Sequence, residues 1–211
     1  MFSPADSASP VVREMPENAR PVPAHFTTGS IAPCPFPTVT AAIRQAATRC
    51  PDSVAAVDLS HAVRREISYA QLEARSRWLA QRLRAAGVGP GDRVPLVVRR
   101  GIEMLVGIYA ILLCGAQYVP LDGGIVTQAT LQTVVSQSGG SLVVCTASAK
   151  RRLQQTESDV VRDCRLLCIE EELERGVEEI DSIDLATPES GCYVIYTSGA
   201  SVKLNRLIVV N

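Results

Sequence analysis

Residues 88–121 read VGPGDRVPLVVRRGIEMLVGIYAILLCGAQYVPL, and the way this stretch divides decides the fold. From Met104 to Leu121 it carries no charge and just reaches the ~18 residues that suggest a membrane-spanning helix. Gly115, Gln117 and Pro120 break that continuity. The stretch therefore resolves into a glycine-proline turn, a buried strand over VPLVV, a helix from Ile102 to about Cys114 that is apolar nearly all round, and a second strand, AQYVPL. Both apolar runs are expected in the core of a soluble domain, with no membrane partner.

Toward the carboxyl end follow a helix over TLQTVVSQS and a strand over SLVVCT. Strand, helix, strand, helix, strand in that order predicts an α/β domain, a parallel-rich sheet with helices on its faces. Toward the amino end, ISYAQLEARSRWLAQRLRAAGV reads as a helix opened by a capping box of Ser68 and Gln71. Leu72, Leu79, Leu83 and Ala86 form its apolar stripe and Gly87 ends it. SVAAVDL and the segment from Val63 to Ile67 read as a strand pair. Before them TVTAAIRQAATRC carries Val39, Ile43, Ala46, Ala47 and Cys50 at helical spacing and is stopped by Pro51. Residues 1–37, rich in proline, serine and alanine, are expected to form a flexible arm with Phe26 and Phe36 as docking points, and 38–211 the domain.

Past Lys150 the pattern weakens except at CRLLCI. The run containing Glu170, Glu171, Glu172, Glu174, Glu178, Glu179, Asp181 and Asp184 is read as a solvated linker or frayed helix, because it lacks the alternating ligands and turn glycine of a calcium loop. Twenty-one Lys and Arg against 22 Asp and Glu leave no global field to recruit nucleic acid or an anionic membrane. Seven cysteines, an odd number with no CxxC pair, and no apolar leader predict reduced, buried thiols in the cytoplasm. His25 and His61 stand at no ligand spacing with them, so no metal site is expected.

The residues with most chemistry lie in YVIYTSGASVK, 193–203. Ligands of α/β sheets bind beyond the carboxyl ends of strands, where small residues expose backbone N–H groups and hydroxyls. Thr197, Ser198, Gly199, Ala200 and Ser201 with Lys203 behind them have the composition of an anion cradle. The same residues also suit a plain turn between two strands. They are not a Walker loop, since only Ala200, Ser201 and Val202 separate Gly199 from Lys203.

Three segments in order, ISYAQLEARSRWLAQRLRAAGVGPGDRV, LLCGAQYVPLD and GCYVIYTSGAS, resemble the first three core motifs of the adenylation domains of nonribosomal peptide synthetases, within the adenylate-forming superfamily of AMP-dependent ligases. The resemblance runs from about Phe36 to Asn211. Gly115, Tyr118, Val119, Pro120, Leu121 and Asp122 match the amino-acid-activating branch better than the acyl-CoA branch. It implies the amino-terminal portion of the large subdomain of such an enzyme, working in secondary-metabolite biosynthesis. ATP, with Mg2+, and a carboxylic acid would give an acyl-adenylate and pyrophosphate, after which a carrier-protein thiol takes the acyl group.

The third motif is that family's phosphate loop, and the matching positions here are Thr197, Ser198, Gly199, Ala200, Ser201 and Lys203. Tyr69, Leu72, Tyr118 and Asp122 would be packing and turn residues, and no residue of this chain is assigned a catalytic role. The family loop continues Ser-Thr-Gly-x-Pro-Lys-Gly, whereas Val202, Asn205 and Arg206 stand here at the second glycine, the lysine and the final glycine. A lost charge-assisted contact forfeits about 1.5–3 kcal/mol. The family's acyl pocket, adenine contacts and magnesium-orienting acid lie downstream of this motif. The chain is therefore expected to be a truncated adenylation domain, inactive by itself. The alternative is a non-catalytic scaffold half-domain that partners a full-length synthetase.

Overall fold

The computed structural model describes residues 34–60, 62–139, 141–155, 159–176, 183–198 and 204–210. The backbone separates into Met1–Pro35 and Phe36–Asn211. Apart from its last two residues the first unit, which contains Phe26, lies outside the described residues, and the helices and strands described all belong to the second.

The second unit opens with helix α1, Val39–Arg49, whose first turn is capped by the Thr38 hydroxyl accepting from the Ala41 N–H. Strands β1, Val54–Asp58, and β2, Arg65–Ser68, then pair antiparallel as a separate ribbon. Helix α2, Tyr69–Ala85, begins at Ser68 with the full reciprocal capping box to Gln71. It ends at Gly87, whose φ of 94° a side chain would disfavour.

A six-stranded sheet follows. Strands β3 (Arg93–Val98), β4 (Gln117–Asp122), β5 (Leu142–Cys145), β6 (Arg165–Cys168), β7 (Gly191–Ser198) and β8 (Leu204–Val210) lie in the order β6-β5-β3-β4-β7-β8. All neighbours are parallel except β7 and β8, which form an antiparallel hairpin. Helix α3, Ile102–Leu113, joins β3 to β4, and α4, Gln128–Ser138, carries the chain from β4 back across β3 to β5. Helices α5 (Ala147–Gln154) and α6 (Asp159–Arg162) join β5 to β6, and α7 (Ile169–Glu174) follows β6.

Alternation along the strands fills both faces. Val94, Leu96 and Val98 of β3 share one core with Leu142, Val144, Leu167 and with Leu79, Leu83, Val106 and Leu113 of α2 and α3. Val97 points the other way, into a core with Val143, Cys145, Leu131, Val135, Ala149 and Leu153. A strand buried on both faces must be apolar at consecutive positions, which is why VPLVV reads as an unbroken run. Pro95 tolerates this central position through its parity. The carbonyls of Asp92 and Val98 accept from Gln117 and Gly123 on the β4 side, while that of Val97 accepts from Thr146 on the β5 side. Pro95, of odd parity, lacks its N–H toward β5, where the aligned pairs are Leu96↔Val144 and Val97↔Cys145.

Two expectations change. Of the two readings of the acidic run, a solvated linker or a frayed helix, the described part is a helix, Ile169–Glu174, but a packed one: Glu172 is buried with its carboxylate accepting from Arg82 Nε at 2.8 Å and Arg175 Nη1 at 2.5 Å. Lys150 Nζ binds both oxygens of Glu171, at 2.7 and 2.6 Å. These cations come from elements far away in sequence, apart from Arg175, so the run itself gave no sign of them. Glu178, Glu179 and Asp181 lie outside the described residues. Second, the cysteines are all free, but only Cys114, Cys145 and Cys168 are buried, and Cys34 is exposed. β8 adds an antiparallel edge next to β7, in line with the two strands that the plain-turn reading supposed. Among the described residues no helix is long and apolar enough to cross a bilayer.

Candidate functional site

The carboxyl ends of β3, β4, β5 and β7 open on one edge of the sheet, the edge where parallel α/β sheets bind ligands. Asp122 closes β4 with an Asx turn: its Oδ1 accepts from the Gly124 N–H at 2.7 Å, and its carbonyl accepts from Ile125 and Val126 at 3.2 and 2.9 Å. Asp122 is thus a turn residue. Neither glycine of the turn is at positive φ, and the group nearest Gly124 is the exposed side chain of Arg99. A Cβ on Gly124 would lie 2.6 Å from Nε and Nη2 of Arg99, and one on Gly123 would meet Ala149 Cβ at 3.3 Å.

Two arginines flank that turn. Arg99 is the first residue past β3 and lies over Gly124. Arg152, on α5, donates from Nη1 to the carbonyl of Gly123 and from Nη2 to that of Val126 at 3.4 Å. Arg99, Gly123, Gly124, Ser148 and Arg152 line a hollow of about 150 Å3. Beside it a cavity of about 260 Å3 runs under Arg152 between α4 and α5, floored by Val97, Leu131 and Leu153. The edge is therefore cationic over an apolar floor. Sequence reading missed both arginines; the signal for Arg99 was its place directly behind a buried strand.

Next to this turn stands β7. Tyr118 of β4 aligns with Tyr193 of β7, and their rings lie 5.5 Å apart at 31°. Burial raises the Tyr118 phenol above its ordinary pKa, with Cys192 and Tyr193 adding to the effect, so it stays protonated and packs. Leu72 is buried in the core, and Tyr69 is the first residue of α2.

The β7–β8 hairpin is aligned down to Thr197↔Asn205 and Ser198↔Leu204. Of the six loop positions singled out in the sequence, Thr197 and Ser198 thus end β7 at the carboxyl edge. Gly199, Ala200, Ser201 and Lys203 fall in the 199–203 connection, outside the described residues. Asn205 and Arg206 are strand residues opposite Thr197 and Tyr196. Lys203 is therefore the one cation within the connection itself. Among the described residues no group of His, Cys, Asp and Glu could hold a metal ion.

Comparison with known proteins matches this geometry to a family. The family model described as AMP-binding enzyme matches residues 43–201. Adenylate-forming reductase 03009 of Coprinopsis cinerea is 34% identical over 135 residues, which are 64% of this chain and 13% of that protein. AMB antimetabolite synthetase AmbB of Pseudomonas aeruginosa is 35% identical over 159 residues, 74% of this chain and 12% of that protein. Among solved structures, the AMPPNP-bound nonribosomal peptide synthetase FmoA3 superposes with a TM-score of 0.71 at 23% identity, over 85% of this chain and 18% of that one. The amino-terminal domain of FACL13 from Mycobacterium tuberculosis gives a TM-score of 0.67 at 23% identity, over 83% of this chain and 44% of that one. The chain thus spans about an eighth of the length of the first two relatives, 13% and 12%. With the family model covering 43–201 and the sheet in place, the chain belongs to the AMP-binding, adenylate-forming enzymes and carries the amino-terminal part of their domain.

Proposed function

We propose that these residues form the β,γ-phosphate side of the ATP site of an adenylate-forming enzyme that activates an amino acid or a related carboxylic acid. The observation that carries this reading is the position of Thr197 and Ser198, at the carboxyl end of β7 beside the Asp122 turn, leading into a small-residue connection that contains Lys203. Thr197, Ser198, Gly199, Ala200 and Ser201 would offer hydroxyls and N–H groups to phosphate oxygens, with Lys203 as the counter-charge. Small side chains let a phosphate approach the backbone there. Bound ATP supplies the electrophilic α-phosphate that a carboxylate attacks. Magnesium is given no ligand here, since the described residues hold no cluster of acids to receive it.

By itself the 211-residue chain is proposed to be inactive. Adenylation requires the carboxylate and the α-phosphate to be held in line, and this chain supplies at most the phosphate side. A synthetase or a carrier protein is the partner that this reading calls for, in the cytoplasm where ATP is available. A few loop donors must offset roughly 4–15 kcal/mol lost on association, so ATP should bind with a Kd in the millimolar range or weaker. The test is ATP titration of the purified chain and of Lys203→Ala, with amino-acid-dependent pyrophosphate exchange measured alongside. Weak binding abolished by Lys203→Ala, with no exchange above blank, is expected. Exchange that persists after removal of contaminating synthetases would overturn the inactive reading. Binding that is indifferent to Lys203 would overturn the loop assignment.

A further inference from the structure

The segment that leads into β7 is tied down by one side chain. Asp184 Oδ1 accepts from the Thr40 hydroxyl at 3.2 Å and from the Ala186 N–H at 3.1 Å, and its Oδ2 accepts from Arg44 Nη2 at 2.5 Å. Thr40 and Arg44 both belong to α1. The next residue continues the attachment: Leu185 N–H donates to the Leu113 carbonyl at 2.8 Å. Its own carbonyl sits 2.7 Å from where a Cβ on Gly115 would be.

Arg44 in turn reaches toward a buried cluster. Its Nε lies 4.0 Å from Glu73 Oε1, and Arg77 Nε lies 2.7 Å from the same oxygen, both as ion pairs out of hydrogen-bond alignment. Tyr109 donates to Glu73 Oε2. Asp184 thereby joins β7 to α1, α2 and α3.

This attachment adds to the few contacts that set the register of β7 against β4. The hairpin partner β8 aligns with it from Gly191↔Val210 to Ser198↔Leu204 and would move with it. Against the rest of the sheet the aligned pair is Tyr118↔Tyr193, compared with six aligned pairs between β3 and β4. The register of β7 is otherwise read through Tyr118, whose ring meets Tyr193, and through buried Val194, which a one-residue slip would turn out of its contact with Val119 and Val134.

We propose that Asp184 is a positioning residue: by clamping the lead-in of β7 to Thr40 and Arg44 of α1, it sets where Thr197 and Ser198 stand at the carboxyl edge. This deepens the phosphate-loop reading and rests on it for its meaning, but the clamp itself can be measured without nucleotide.

The test is amide hydrogen exchange, followed by mass spectrometry, on the full chain and on Asp184→Ala, Asp184→Asn and Arg44→Gln. Loss of a charge-assisted contact should speed exchange about tenfold in peptides covering 185–198 and leave β3 and β5 unchanged. Asp184→Asn keeps an acceptor for Thr40 and Ala186 and should fall between the wild type and Asp184→Ala. Should Asp184→Ala fail to fold, Arg44→Gln removes the cation from a half-exposed site and reads out the same segment. Unchanged exchange over 191–198 in the folded variants, or a uniform rise across every element, overturns the clamp. The same samples with ATP separate the two readings. Failure of ATP to protect 191–198 in the wild type counts against the phosphate loop, while the exchange difference between variants still decides the role of Asp184.

Discussion

Trp78 Nε1, on α2, donates to the backbone carbonyl of Glu172, on α7, at 2.8 Å across 94 positions of sequence. Both partners are buried, and Arg82, one turn along α2, holds the Glu172 carboxylate while its guanidinium lies 6.0 Å from the indole. The acidic helix is thereby fastened to the face of the sheet that carries α2 and α3. Trp78→Phe should cost about 1–3 kcal/mol by leaving a buried carbonyl unpaired. Urea unfolding followed by circular dichroism measures it, and a loss below about 0.5 kcal/mol would show that water replaces the indole.

Gly115 and Gly139 both sit at positive φ, 68° and 74°, yet differ in surroundings. A methyl at Gly139 meets nothing within 4 Å, so Gly139→Ala should cost only the backbone term of about 1 kcal/mol. At Gly115 the methyl would lie 2.7 Å from the Leu185 carbonyl oxygen, so Gly115→Ala should cost about 2–4 kcal/mol and loosen the lead-in to β7. Equal losses for the two variants would refute the close approach.

Ser68 accepts from the Gln71 N–H at 3.3 Å, and Gln71 Oε1 accepts from the Ser68 N–H at 3.1 Å. Ser68→Ala should lower stability by about 1 kcal/mol, whereas Ser68→Asp should keep the cap. Thermal melts of the two variants separate capping from a generic surface effect.

Burial pushes the thiols of Cys114 and Cys145 up from 9.0 to about 12. Desolvation leads in both; Arg84 opposes it at Cys114, and at Cys145 Cys168 reinforces it. Below pH 9 these thiols are protonated in the folded and unfolded chains alike and cost nothing. Between about pH 9 and 12 the unfolded chain releases their protons first, so it binds fewer protons and stability falls as pH rises, by up to ~1.4 kcal/mol per unit for each thiol. Denaturation midpoints from pH 7 to 11 should therefore be flat and then decline, and Cys114→Ala should make the decline shallower. At pH 8 a thiol reagent should label exposed Cys34 first.

Much of this molecule was legible locally. The capping box at Ser68, the division of 88–121 at Gly115 and Pro120, and the Asx turn at Asp122 each depend on residues a few positions apart, so periodicity and turn chemistry recover them. The order of strands and helices in turn fixed a parallel α/β sheet. The structure places Thr197 and Ser198 of the proposed loop at the carboxyl end of β7, while Gly199 to Lys203 lie outside the described residues.

What only the tertiary structure decided depends on groups distant in sequence. Sequence read the Glu170–Glu174 stretch as a solvated linker or a frayed helix, because nothing nearby showed that Arg82 and Lys150 would pair with it. Nor could it place Arg99 and Arg152 around one turn, or tie Asp184 to an α1 residue 140 positions earlier. Backbone conformation is set by neighbours along the chain, whereas charge pairing and burial are set by neighbours in space. The sequence alone determined the elements and their order, and folding decided which of its charges meet.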